Sequence, residues 1–128
     1  MKLAVFLALL SLATAGFGKS FHKDTTIVLK DKQTIEVYGK PSLQKKKVTS
    51  VKLVPKSKGI KILSFDAEMP DHDHGMVVKP TKPSPSKDGK GVIINGVKLH
   101  MPGDWVLKVT IEQNGKTEEL RHPYLVKP

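Results

Sequence analysis

The 128-residue sequence contains no cysteine. That absence excludes a disulfide framework, a Cys-ligated zinc or iron–sulfur site, and a cysteine nucleophile. Aromatic residues are scarce, at 5%, and the basic residues are not interleaved with them as in a reader of nucleic-acid bases. There is no nucleophile elbow, no phosphate-cradling glycine loop and no metalloprotease helix motif. At this length there is room for one domain only. The sequence therefore points to a non-enzymatic chain.

What is present begins at the N-terminus. Lys2 precedes an apolar run from Leu3 to Leu10, followed by Ser11, Leu12 and the small-residue triplet Ala13-Thr14-Ala15. This is the pattern of a secretory signal peptide over residues 1–15, cleaved after Ala15. The run is shorter than the roughly 20 apolar residues that span a bilayer. No cysteine follows it, so a lipid-modified cysteine cannot serve as an anchor. The sequence thus predicts a periplasmic or secreted protein with one domain over 16–128, stable on its core alone.

Lys and Arg number 22 against 12 Asp and Glu, a formal charge of +10. Nucleic acid is a poor partner for an exported chain with dispersed lysines and no arginine forks. Two readings of the charge remain. One is a solvated surface whose lysines guard edge strands; the other is attraction to anionic lipid headgroups or an acidic partner.

After the signal, short β-branched runs separated by turn residues recur, and helical periodicity is missing. The expected strands are 26–30, 34–38, 48–54, 60–67, 92–99, 105–113 and 116–121. About seven short strands predict an all-β, antiparallel β-sandwich. Asn114-Gly115 suits a two-residue type I′ hairpin, and before it Trp105, Leu107, Val109 and Ile111 alternate with a wetter face. Asn95-Gly96 is compatible with a second hairpin or with a bulge inside a longer strand. Residues 40–47 read as a polar loop. Residues 79–91, with Pro80, Pro83 and Pro85 among Lys, Ser and Gly, read as an extended, solvated, linker-like loop inside the domain.

Chemistry concentrates in two segments. Glu68-Met69-Pro70-Asp71-His72-Asp73-His74-Gly75-Met76 closes the fourth expected strand, and His100-Met101-Pro102-Gly103 follows the fifth. Thioether sulfur prefers Cu(I), and imidazole serves Cu(I), Cu(II) and Zn(II), so a His/Met set without thiolate leans toward copper. His72 and His74 share a face if the segment is extended and can converge in a turn. Met69 continues the apolar face of Leu63, Phe65 and Ala67, so it is either a core residue at a strand end or a ligand. His100 is equally a surface histidine or a ligand, and Met101 is equally a cap on the core beside Pro102 or a ligand. Asp71 and Asp73 are turn formers or partners of the imidazoles. His22 and His122 stand alone and read as structural or surface groups. Asp66 and Glu68 alternate with the apolar positions, which turns them to solvent and away from any role as an activating carboxylate.

The stretch Met69-Pro-Asp-His-Asp-His-Gly-Met76, paired with Leu99-His-Met-Pro-Gly-Asp-Trp-Val-Leu107, resembles the YtkA-like and FixH-like group of bacterial exported domains. There, a strand ends in a Met-Pro, His-rich turn, and a Met-Pro-Gly-x-Trp-x-Leu segment begins the last long strand. The resemblance covers residues 60–111. It implies an immunoglobulin-like sandwich in the bacterial periplasm, with roles in copper handling or in assembly of a membrane-bound oxidase or cation-transport complex. Its two motifs fall on Met69, His72, His74 and Met76, and on Met101, Pro102, Gly103 and Trp105. The long Lys/Pro loop and the basic N-terminal strands have no counterpart in that pattern. The resulting expectation is a copper ion held by His72, His74 and Met76, with Met69, His100 and Met101 as secondary candidates, for carrying or buffering the ion. The alternative is an interaction module without metal, docking by its Lys-rich surface on a membrane complex.

Overall fold

Alternating apolar and polar residues build strands with one buried and one wetter face, and the longest strand shows this most plainly. In β8 (Gly103–Gln113), Trp105, Leu107, Val109 and Ile111 are buried while Val106, Lys108 and Thr110 are half-exposed. The computed structural model describes residues 21–128, so the signal peptide expected at 1–15 lies outside the described residues. The other strands are β1 (His22–Val28), β2 (Thr34–Lys40), β3 (Thr49–Pro55), β4 (Lys61–Met69), β5 (His74–Gly75), β6 (Ser84–Pro85), β7 (Val92–Val97) and β9 (Lys116–Val126). Among the described residues no helix is long and apolar enough to cross a membrane.

The strands form two antiparallel sheets, β1-β2-β3-β7-β6 and β5-β4-β8-β9. Setting β1 aside, β2-β3-β7-β6 over β4-β8-β9 reproduces the A-B-E-D over C-F-G order of an immunoglobulin-type sandwich, with β5 as an added edge on the second sheet. Ile35, Val37, Leu53 and Ile94 of one sheet and Phe65, Leu107, Val109 and Ile111 of the other belong to one continuous core. Turn chemistry sets the register of the last hairpin. Asn114 and Gly115 take φ of 54° and 76°, as a type I′ turn requires, and pairing runs from Gln113↔Lys116 to Gly103↔Val126. β9 extends past the expected end at residue 121, through Pro123. It is an edge strand, where a residue without an N–H is tolerated.

Three local expectations need correction, and at Asn95-Gly96 one of the two open alternatives is the one found. Leu63 does not share the core face with Phe65. β4 pairs Ile62 with Ile111 but Ser64 with Thr110, so Leu63 is the extra residue of a bulge, turned outward, and Ile62 is buried in its place. Asn95-Gly96 is also a bulge and not a hairpin: these two residues of β7 oppose Ser50 alone, between the pairs Thr49↔Val97 and Val51↔Ile94. The 40–47 loop is not wholly polar. Leu43 enters the core, and its N–H is accepted by Asp24 at the start of a 3-10 turn over Leu43–Lys45. The 79–91 segment is extended but not a free linker. Ser84 and Pro85 pair with Ile93 and Val92, and the Thr81 N–H donates to the Asn95 carbonyl at 2.9 Å. The exposed edge of β7 offers unpaired backbone groups, and an extended proline-rich chain is already in the conformation to meet them.

Strand directions gather the connections after β2, β4 and β7, and the last residues of β9, at one end of the sandwich. Both His/Met segments lie at that end.

Candidate metal site

β4 ends at Met69, and the chain is turned back by three successive residues of fitting chemistry. Pro70 opens a 3-10 turn over Pro70–His72, a position where its missing N–H costs nothing. Asp73 then adopts the left-handed conformation, φ 52° and ψ 38°, and its N–H donates to the Pro70 carbonyl at 3.3 Å. Aspartate tolerates this conformation better than most side chains. The returning strand β5 pairs His74 with Met69 and Gly75 with Glu68.

This hairpin holds His72 and His74 at its exposed tip, with imidazole centroids 6.3 Å apart and planes inclined by 20°. With metal–nitrogen bonds of about 2 Å, two imidazoles sharing an ion have centroids no more than roughly 6 Å apart. At 6.3 Å the pair lies just outside that limit, with the two rings nearly parallel. Two residues on, Met76 is half-buried against the margin of the core and lines a groove of about 550 Å³ over Leu63 and Phe65.

The remaining candidates lie elsewhere. Met69 is 0% exposed and part of the core. Its terminal methyl occupies the space above Gly103, where an added Cβ would lie 2.8 Å from it. Gly103 has φ 129°, a region open to glycine and strained for other residues. The Met-Pro turn and the Met-Pro-Gly segment are therefore joined by packing, through Met69 and Gly103, a link that sequence spacing alone does not reveal. The His100–Pro102 segment wraps Trp105. The Trp105 Nε1–H donates to the Met101 carbonyl at 2.9 Å, and the His100 ring meets the indole edge-on at 5.6 Å. His100 Nδ1 is buried without a hydrogen-bond partner. Met101 is half-buried beside the core. Among the described residues no three His, Asp or Glu side chains are grouped to hold an ion.

The carboxylates near the hairpin divide by face. Asp71 and Asp73 flank the imidazoles and are exposed. Glu68 lies on the outer sheet surface, as the alternation predicts, where Lys108 Nζ is 2.7 Å and Arg121 3.2 Å away. Hydrogen bonds from Lys108 first, then Arg121, hold its carboxyl below the usual carboxylate range. Asp66 is beside Lys108 at 3.9 Å and accepts the N–H of Ala67.

His22 is largely exposed, 3.8 Å from Asp24. His122 shares a 2.9 Å hydrogen bond with Thr25, joining β9 to β1 across the edges of the two sheets. Burial pushes its imidazole below the ordinary value. Comparison of the chain with protein-family models, with curated proteins and with solved structures returns no match.

Proposed function

We propose that this is an exported, non-enzymatic metal-binding domain that takes up copper at the tip of the β4–β5 hairpin, for carrying or buffering the ion. The observation that carries this reading is the pairing of the exposed His72 and His74 rings, 6.3 Å apart, on a turn built by Pro70 and Asp73. Imidazole serves both copper oxidation states, and the thioether of Met76, two residues further along, adds a soft donor suited to Cu(I). A closed zinc site takes four ligands. The hairpin offers two imidazoles and one thioether, and the ion's open positions suit a ligand donated by a second protein. Met69, buried beneath the hairpin and paired with His74, supports the turn from the core side. A membrane-bound oxidase or cation-transport complex is the recipient that the family resemblance suggests.

Titration with Cu(I) and Cu(II) tests the assignment. The His72→Ala/His74→Ala variant should lose at least tenfold in affinity for both ions, about 1.4 kcal/mol. Met76→Leu should weaken Cu(I) and spare Cu(II). Unchanged affinity in the double variant rejects the site.

A further inference from the structure

The charge of the chain is divided unequally between its two sheets. Residues 21–60 and 77–98, which build the β1-β2-β3-β7-β6 sheet and its loops, carry 15 lysines against Asp24, Asp31, Glu36 and Asp88, a net of +11. Residues 61–76 and 99–128, which build the other sheet, carry five cations against eight carboxylates, a net of −3. Solubility alone does not call for such segregation, because a mixed surface serves it as well.

On the outer face of the basic sheet, Lys40, Lys52 and Lys87 wall a groove of about 480 Å³ together with Ser50 and Ser86. An adjoining groove of about 290 Å³ is edged by Lys56 and Lys90. Phe21 lies in both grooves, with the Lys40 and Lys52 ammonium groups 5.7 and 6.0 Å from its ring centre. The two carboxylates of this region are already engaged, Glu36 by Lys23 and Lys56 and Asp88 by Lys52. Among the described residues, Lys40, Lys87 and Lys90 take part in none of the ion pairs.

We infer that this sheet is a docking face for an anionic phospholipid bilayer. All of its cations are lysine, and the chain's single arginine, Arg121, lies on the other sheet. Arginine forks suit discrete carboxylate or phosphate groups on a protein partner, whereas lysines act as point charges. Many point charges spread over a sheet face match a plane of headgroup phosphates, whose field attracts each of them. The orientation follows. The His-bearing hairpin belongs to the opposite, net-acidic sheet, so the docking face does not include it. The inference is independent of metal binding, so either can fail alone.

Flotation of the full chain with phosphatidylcholine vesicles, with and without phosphatidylglycerol, tests it. The comparison is between variants, so residues 1–20 contribute equally to each. Lys40→Glu/Lys87→Glu/Lys90→Glu should lower partitioning onto the anionic vesicles by about tenfold or more. Lys61→Glu/Lys116→Glu/Lys127→Glu, with the same change in net charge on the opposite sheet, should lower it less than about threefold. The gap should close at high salt. The Lys40→Gln/Lys87→Gln/Lys90→Gln variant, with less perturbation of the fold, should fall between wild type and the Glu triple. Equal losses in the two Glu triples, or no gain from phosphatidylglycerol in the wild type, overturn the inference. The second result is the one expected if the partner is an acidic protein.

Discussion

His72 and His74 are brought together by their neighbours. Pro70 starts the turn, Asp73 supplies the left-handed residue, and pairing of His74 with Met69 fixes where the chain returns. The i, i+2 spacing made this pair legible in the sequence, because both an extended strand and a tight turn allow the two rings to meet. The setting of His100 was not legible. Its ring rests on Trp105 because residues 98–102 cross from one sheet to the other, a contact decided by tertiary packing. His122, by contrast, reads from sequence as a structural group, and its bond to Thr25 across the sheet edges accords with that. Burial favours its neutral form, so its folded pKa lies below the ordinary imidazole value. The unfolded chain then binds the proton more readily, and stability falls as pH drops from the ordinary value toward the depressed one. Urea unfolding at about pH 7.5 and about pH 5.5 should show this step in the wild type and a smaller one in His122→Gln.

At the scale of elements, all seven expected strands are present, most within two residues of their expected ends. Period-two alternation is a local property of the chain, and β8 displays it without interruption. Bulges are not local in this sense. The extra residues at Leu63 and at Asn95-Gly96 exist only relative to a partner strand; the Asn-Gly dipeptide left a bulge open at the second, but nothing within β4 marks the first. The same holds for β6, whose two residues count as a strand because β7 lies beside them. Where an element is fixed by its own residues, the cost of a change can be assigned locally. Gly115, at φ 76°, should tolerate Ala poorly, and Gly115→Ala should lower stability by about 1 kcal/mol, read from the denaturation midpoint. Copper affinity should be untouched, since this turn lies at the opposite end of β8 from the His/Met segments.

At the scale of the molecule, two sheets share one core and differ in charge. The basic sheet is the face proposed to meet a bilayer, and the acidic sheet carries the hairpin with the paired imidazoles. On the acidic sheet, Lys108 and Arg121 balance Glu68, which leaves the exposed Asp71 and Asp73 as carboxylates beside the histidines. The net sign of the chain was readable from composition, but its division between sheets was not, because residues 77–98 rejoin the first sheet only through the fold. Copper binding at the hairpin, as proposed, stands on His72 and His74 as the ligands. The most direct measurement follows the imidazole proton resonances of the five histidines as substoichiometric Cu(II) is added, since a bound paramagnetic ion broadens its ligands first. His72 and His74 should broaden together while His22, His100 and His122 stay sharp. First broadening at any other histidine, or uniform broadening of all five, would contradict it.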